Sequence, residues 1–216
     1  MISNKLRLWE AALFLAFGLT LTAGVWSSAS ASALADQVLR LHVVANSDSP
    51  QDQALKLQVR DAVLDRAGEL LGGASSQAEA EQILTPHLEE LGWAARAVLD
   101  QAGCDDAVAV SLDNQWFPTK VYDGFSLPAG TYRALRIVIG EGQGQNWWCV
   151  VFPPLCLATV TEEVASTATQ AGLSEDQVNL ITGQDGGYVL KFKFMEWWDS
   201  LLHILGLGDA SPQAQR

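Results

Sequence analysis

The pattern of hydrophobic and polar residues predicts a strand and then a helix in the first part of the chain. Residues 38–45 (VLRLHVVA) alternate and are rich in β-branched side chains, which is typical of a strand. The apolar residues that follow recur every three or four positions up to Gly72, which predicts a helix. Ser49 fits the N-cap of this helix, and Asp52 is placed both for a capping box and for an ion pair with Lys56 one turn later.

The rest of the chain changes from a helical period to an alternating one and back. A helical period over residues 77–102 is interrupted at Pro86, where we expect a break. The predicted strands cover residues 107–112, 116–122, 132–139 and 147–152, with turns at Asp113-Asn114 and at the glycine-rich segment 140–144. Short helices are predicted over 161–171 and 174–181, then a strand over 188–193 and an amphipathic helix over 194–205.

These elements predict one α+β domain, in which helices cover one face of a largely antiparallel sheet. We divide the chain into a signal segment (residues 1–35), this domain (36–205) and a flexible C-terminal tail (206–216).

The N-terminal segment has the three parts of a secretory signal. Lys5 and Arg7 precede an apolar stretch over residues 11–26, which is shorter than the roughly 20 residues that a spanning helix needs. Small residues follow, and they offer overlapping A-x-A cleavage sites at Ala29, Ala31, Ala33 and Ala35. Three interpretations fit this segment: a signal peptide that is removed, an uncleaved membrane-spanning anchor, or a buried core helix. Removal as a signal peptide, which is the interpretation we favour, places the domain outside the cytoplasm.

Composition and charge exclude several classes of function. The net charge is −12, and the 13 Lys and Arg residues form no basic run. This argues against a nucleic-acid partner and against docking on anionic lipid, so contact with a membrane would come from the N-terminal segment or from the partner. The glycine-rich segment 140–144 lies between predicted strands and lacks the Gly-Lys-Ser/Thr of a phosphate-binding loop. We therefore expect a hairpin there and no cofactor.

A polar group after the first strand suggests a hydrolase or a metal site. Its members are His42, Asn46, Ser47, Asp48, Ser49 and Asp52. Nucleophilic catalysis needs Ser, His and an acid within hydrogen-bond reach, but no G-x-S-x-G elbow presents a serine here. A metal would need a second strong ligand near His42. Because turn and capping chemistry explain the same residues, we expect no enzyme and no metal, with an extracytoplasmic hydrolase as the alternative.

Cysteines and tryptophans add two open questions. Cys149 and Cys156 flank a diproline bend and form either a disulfide or two buried thiols, while Cys104 is expected to be a small buried hydrophobe. In the pair Trp147-Trp148, one ring is expected in the core and the other could anchor a partner or a wall sugar.

Two long segments resemble a known family. The first is LRLHVVANSDSP, residues 39–50, with its helical continuation to residue 64. The second runs from FPTKVY at residues 117–122 to NWWCVVFPPLC at residues 146–156. Both resemble the stage II sporulation protein R family of endospore-forming bacteria.

The resemblance implies a signalling role. Members of this family are made in the forespore and exported into the space between the forespore and mother-cell membranes. There they activate a membrane-embedded aspartic protease of the mother cell, which processes the precursor of sigma-E. The resemblance supplies no set of functional residues. From their chemistry alone, we expect the protease to contact His42, Asn46, Asp48, Asp52, Trp147 and Trp148. A non-catalytic module that binds cell-wall sugars is the further alternative.

Overall fold

The computed structural model describes residues 13–18, 31–156 and 161–183. The strands in these ranges are β1 (Leu39–Val44), β2 (Val108–Phe117), β3 (Lys120–Tyr122), β4 (Phe125–Leu127), β5 (Gly130–Ile139) and β6 (Asn146–Phe152). The helices are α1 (Pro50–Leu71), α2 (Gln77–Leu84), α3 (Leu88–Gln101), α4 (Thr161–Gln170) and α5 (Glu175–Thr182), with a 3-10 turn, Thr85–His87, between α2 and α3.

Four strands form the central sheet in the order β2-β5-β1-β6. β1 is parallel to β5, whereas β6 pairs antiparallel with β1 and β2 pairs antiparallel with β5. β3 and β4 form a separate antiparallel hairpin. The α+β class and the mainly antiparallel sheet are therefore confirmed, with one parallel pair at the centre.

The first face of the sheet packs against α1, α2 and α3. The alternate β1 residues Leu39, Leu41 and Val43 are fully buried there, as the alternation predicts. α1 contributes a stripe of buried residues at helical spacing, which comprises Leu55, Val59, Val63, Ala67 and Leu71. These helices cover one face in the way that the sequence pattern indicates.

The second face is also buried, beneath the β3–β4 hairpin, α4 and α5. Its apolar cluster includes Phe117, Leu127 and Tyr132, together with Val164 of α4 and Ile181 of α5. Leu34, which precedes β1, is fully buried in the same cluster. The folded domain therefore includes residue 34, and its sheet is covered on both sides.

Helix boundaries agree with the capping signals. Ser49 is the N-cap of α1 and accepts a hydrogen bond from the Asp52 backbone N–H at 3.1 Å. The reciprocal half of the predicted capping box is absent, because the Asp52 carboxylate binds Ser47 instead. The predicted Asp52–Lys56 ion pair is also wrong, since the Lys56 ammonium donates to Gln53 and to a backbone carbonyl. The predicted break at Pro86 is confirmed by the 3-10 turn.

One turn prediction is wrong. Asp113-Asn114 lies inside β2, which runs unbroken beside β5 from Val108 to Phe117. The Asp113 carboxylate accepts hydrogen bonds from Ser111 and Gln115, its neighbours on the same face of the strand, so it supports extended backbone. The predicted strand over 116–122 is consequently divided between β2 and β3, and the short strand β4 was not predicted.

Several predictions concern residues outside the described ranges. These are the strand over 188–193, the helix over 194–205, the tail over 206–216 and Ala29 of the cleavage region. Residues 31–35, with Ala31, Ala33 and Ala35, form a helical turn before β1. Within the described ranges, no helix has both the length and the apolar character needed to span a bilayer.

Candidate functional site

Most of the predicted polar residues fasten the turn after β1 to the loop between β5 and β6. Asn46 Oδ1 accepts a hydrogen bond from the Glu141 backbone N–H at 2.9 Å, and Asp48 Oδ1 accepts one from the Gln145 N–H at 2.7 Å. The backbone carbonyls of Ala45 and Asn46 accept two more, from the N–H groups of Gly144 and Gln143. We call residues 45–48 with residues 140–145 the joint.

Glycines allow this close approach. Gly140 has φ +55°, and a Cβ there would lie 2.3 Å from Asn46 Oδ1. A Cβ on Gly144 would lie 2.3 Å from the Ser47 carbonyl oxygen, which no side-chain rotation can relieve. The predicted hairpin is wrong, because β1 lies between β5 and β6 in the sheet and these two strands do not pair. The glycine-rich segment instead crosses the end of β1, and its composition follows from contact with residues 45–48.

Asp52 completes the joint from α1. Its Oδ2 accepts hydrogen bonds from Ser47 Oγ at 2.5 Å and from Asn46 Nδ2 at 3.4 Å. Ser47 Oγ in turn accepts from the Ser49 backbone N–H at 3.1 Å. Because Asn46, Asp48 and Asp52 all bind groups of their own chain, the arrangement stabilises the turn and needs no substrate to explain it.

His42 lies apart from these carboxylates, on the second face of the sheet. Its Nε2 is 2.6 Å from Asn146 Oδ1, which fits the neutral tautomer with Nε2–H donating to the amide oxygen. Its Nδ1 is buried without a hydrogen-bond partner in the described part of the chain. Burial lowers the pKa of His42, and the positive charge of Arg136 lowers it further. No serine contacts the ring, so the geometry of a Ser-His-acid triad is not present in the described ranges.

Metal binding finds no support in the described residues. No group of three or more His, Cys, Asp or Glu side chains in those ranges is arranged to hold an ion. The Asp48 and Asp52 carboxylates accept hydrogen bonds from amide, hydroxyl and backbone donors of the joint.

A groove lies beside the joint, between α1, the β3–β4 hairpin and the start of β6. Its volume is about 720 Å³. It is lined by Gln53, Ala54, Lys56, Leu57, Lys120, Val121, Tyr122, Gln145, Asn146, Trp147 and Trp148. Of these residues, the two tryptophans were predicted as contacts from the sequence. Lys56, Lys120 and Tyr122 were not, because they are distant in sequence and meet only in the fold.

The two tryptophans lie in different environments. Trp147 is 36% exposed, and the Arg60 guanidinium lies 4.4 Å from its ring centroid. The Trp148 ring is less exposed and packs against His42 and Phe117 at centroid distances of 6.0 and 6.3 Å. The Lys120 ammonium is 4.2 Å from the Trp148 centroid. One ring of the pair is thus available at the surface, and the other belongs to an aromatic cluster with a cation above it.

A buried arginine supports the groove from behind. Arg40 is fully buried, and its guanidinium lies 4.0 Å from the Phe117 ring centroid and 4.9 Å from that of Tyr132. Its Nη2 donates to the Tyr122 hydroxyl at 2.7 Å, and that hydroxyl donates to the Trp148 carbonyl at 3.1 Å. This chain of contacts holds the β3–β4 hairpin against β6.

The cysteines differ in environment. Cys149 of β6 and Cys156 are joined by a disulfide that closes the diproline bend. Cys104 is a half-buried free thiol, 3.4 Å from Asp106 Oδ2, and is less enclosed than the buried hydrophobe that the sequence indicates.

The fold and the site define an α+β domain whose polar motif after β1 is a structural joint beside an aromatic, cationic groove. Comparison with known proteins then identifies the family: the chain belongs to the stage II sporulation protein R family, whose sequence model matches residues 35–162. Stage II sporulation protein R of Bacillus subtilis (strain 168) is 34% identical over 188 residues, which cover 77% of this chain and 82% of that protein. No solved structure matches the chain. The family is named for sporulation and not for a reaction, which is consistent with the expectation of a non-enzyme.

Proposed function

We propose that this chain is an exported signal that activates a membrane-embedded protease, which processes the sigma-E precursor during endospore formation. Membership of the stage II sporulation protein R family is the observation that carries the proposal. The signal-like N-terminal segment supports export into the space between the forespore and mother-cell membranes.

The groove is the part of the site that remains open to a partner, and we therefore favour it as the contact surface. Asn46, Asp48 and Asp52 are engaged within the joint, whereas Trp147 and Val121 present apolar surface to solvent. Exposed aromatic anchors next to polar groups commonly carry binding energy in protein interfaces. We therefore assign first contact with the protease to the groove, and to the joint the role of holding its β6 wall in place.

Activation requires that the signal bind the active protease better than the resting one. A preference of about 1.4 kcal/mol changes the ratio of the two states about tenfold. Because Trp147 is 36% exposed, burying the rest of its side chain contributes on the order of 1 kcal/mol, so further contacts in the groove must supply part of the preference.

The burial of Leu34 limits where the signal segment can be cleaved. Cleavage after Ala31 leaves Leu34 in the mature chain, where it is fully buried in the second apolar cluster. Cleavage after Ala35 would remove that side chain from the core. Cleavage after Ala33 would keep Leu34 but remove the Ser32 and Ala33 carbonyls, which accept hydrogen bonds from the Asp36 N–H and the Gln177 side chain. We propose that the signal peptidase cuts at Ala29-x-Ala31, and intact mass measurement of the exported protein tests this assignment.

The activator role is tested by co-expression in a non-sporulating host. The membrane protease and the sigma-E precursor are produced together, with or without this chain carrying its N-terminal segment. Shortening of the precursor that depends on this chain is the expected result. Absence of shortening, with export and folding of the chain demonstrated, would refute the proposal.

Two variants separate this role from the hydrolase alternative. His42→Ala should leave precursor processing intact once folding is verified, because His42 contacts Asn146 and not a nucleophile. Trp147→Ala should weaken processing while the thermal midpoint stays near that of the parent, because that ring is partly exposed. Loss of processing in a folded His42→Ala protein, with no effect of Trp147→Ala, would favour hydrolysis.

A further inference from the structure

The cations of the described chain fall into two groups. Arg60, Arg66, Arg96 and Arg133 each have an Asp or Glu oxygen within 4.0 Å. The remaining four cations of residues 31–156 make no such ion pair with any described acid, and they are Arg40, Lys56, Lys120 and Arg136. This separation is notable in a chain where 25 acidic residues outnumber 13 basic ones.

The unpaired cations concentrate at the groove. Lys56 and Lys120 line it, and they are the charged residues of its described lining. Arg40 lies behind it and donates to Tyr122, another lining residue. Among the described residues of this acidic protein, the lining of the groove thus carries two lysines and no carboxylate.

Both lysines sit where an unpaired charge is costly. Lys56 is only 4% exposed and donates to Gln53 Oε1 at 2.5 Å and to the Gln145 carbonyl at 3.0 Å, which leaves its third N–H unassigned among the described residues. Lys120 lies over the Trp148 ring. Burial lowers the pKa of both ammonium groups. A carboxylate entering the groove would offset part of this desolvation.

The other lining residues suit a peptide. The Gln145 amide and Asn146 Nδ2 lie along the groove and can bind a backbone, whereas the Gln53 amide is engaged with Lys56 and the Ser47 carbonyl. Val121 is 71% exposed on the opposite wall, and Trp147 offers a partly exposed ring. Amides, cations and apolar positions in one groove match an extended segment in which acidic and apolar side chains alternate.

Acidic residues around the groove disfavour its binding to an anionic membrane. Asp123 follows Tyr122 directly, Asp61 pairs with Arg60, and both acids are exposed. Asp48, which bonds the backbone of Gln145, is exposed as well. A continuous anionic lipid surface would meet these acids, whereas a single narrow segment can place its carboxylates between them.

We propose that the groove binds an extended acidic segment of a protein partner, whose carboxylates contact Lys120 and Lys56 and whose apolar side chains pack on Val121 and Trp147. Identification of that partner with the extracytoplasmic part of the protease rests on the proposed function. The chemistry of the groove does not depend on it.

The test uses the full mature chain and synthetic peptides. The probes are overlapping 15-residue peptides that cover the extracytoplasmic segments of the protease from the same organism, labelled for fluorescence anisotropy. Each acidic peptide has a twin with Gln and Asn in place of Glu and Asp. We expect at least one acidic peptide to bind, its twin to bind about tenfold more weakly, and binding to weaken as salt is raised.

Lys120→Gln is the diagnostic variant, and Arg66→Gln is its matched control. Arg66 is a cation of α1 that pairs with Glu69 and Glu90 away from the groove. Lys120→Gln should lose most of the preference for the acidic peptide over its twin, and Arg66→Gln should keep it. Circular dichroism and urea midpoints verify that both variants fold.

Three outcomes would overturn the proposal: no peptide binds, acidic peptides and their twins bind equally, or the two variants behave alike. Sedimentation with phosphatidylglycerol vesicles adds a fourth, since Lys120-dependent vesicle binding without peptide binding would assign the groove to lipid. The co-expression assay keeps the two proposals distinct. Processing by wild type that Lys120→Gln leaves unchanged refutes the groove as the contact with the protease, whereas no processing with intact peptide binding refutes the activator role.

Discussion

Replacing Gly144 with alanine should separate the joint and destabilise the domain by about 3 kcal/mol. The new Cβ would lie 2.3 Å from the Ser47 carbonyl oxygen and 2.6 Å from its carbon, so the backbone itself must move. Such overpacking costs about 1–3 kcal/mol. Movement of the loop also weakens the Gly144 N–H to Ala45 carbonyl bond at 2.9 Å and the Gln145 N–H to Asp48 bond at 2.7 Å, each contributing about 1 kcal/mol.

Urea unfolding followed by circular dichroism, with the disulfide intact, measures this loss. Gly68→Ala is the matched control, because Gly68 is an exposed position inside α1 and a Cβ there meets nothing within 4 Å. We expect that control to gain about 0.5–1 kcal/mol of stability from helix propensity. A Gly144→Ala protein within about 0.5 kcal/mol of wild type would refute the reasoning, since surface substitutions without structural consequence fall in that range.

Three further predictions address the second face and β6. Tyr122→Phe should cost about 2–3 kcal/mol in urea unfolding, because it removes the hydroxyl that accepts from buried Arg40 while the ring can stay stacked on Phe125; an unchanged midpoint would contradict this. Because burial lowers the pKa of His42, the folded protein binds that proton less readily than the unfolded chain, and stability is lost as pH falls below about 6.5. As the pH is lowered from 7.5 to 5, the free energy of unfolding of wild type should therefore fall relative to that of His42→Gln. A constant difference between the two proteins would show that His42 does not titrate in this way. Cys156→Ser should lower the free energy of unfolding by about 2–3 kcal/mol, since the bridge to Cys149 constrains the unfolded chain; the same unfolding free energy with and without the bridge would contradict it.

Local chemistry explains which elements were predictable from sequence. The Ser49 cap and the break at Pro86 depend on neighbours a few residues away, so α1 and the division between α2 and α3 follow from the printed sequence. Asp113-Asn114 has the composition of a turn, yet ten consecutive pairings with β5 and the same-face hydrogen bonds of Asp113 keep it extended. Pairing between segments far apart in sequence leaves no local signal, which is why the turn was predicted there.

The joint shows how a polar motif can be recognised without its role being evident. Asn46, Asp48 and Asp52 were identified as functional candidates because acids and amides crowd one turn. Asn46 and Asp48 accept hydrogen bonds from the backbone N–H groups of Glu141 and Gln145, which are 95 and 97 positions away. Asp52 accepts from the side chains of Ser47 and Asn46. A sequence alone does not distinguish a carboxylate that awaits a partner from one that already accepts a hydrogen bond from a distant loop.

Arg40 connects these observations to the groove. The alternation of β1 places it opposite Leu39 and Leu41, where a solvent-exposed charge is the ordinary expectation. In the fold it is fully buried between aromatic rings, with one described hydrogen-bond partner, the Tyr122 hydroxyl. A cation held this way raises the positive potential behind the groove while the rings limit its access to solvent. The same arrangement that stabilises the β3–β4 hairpin therefore prepares the groove for an anionic partner, and this connection arises only when residues 40, 56, 120 and 148 are brought together.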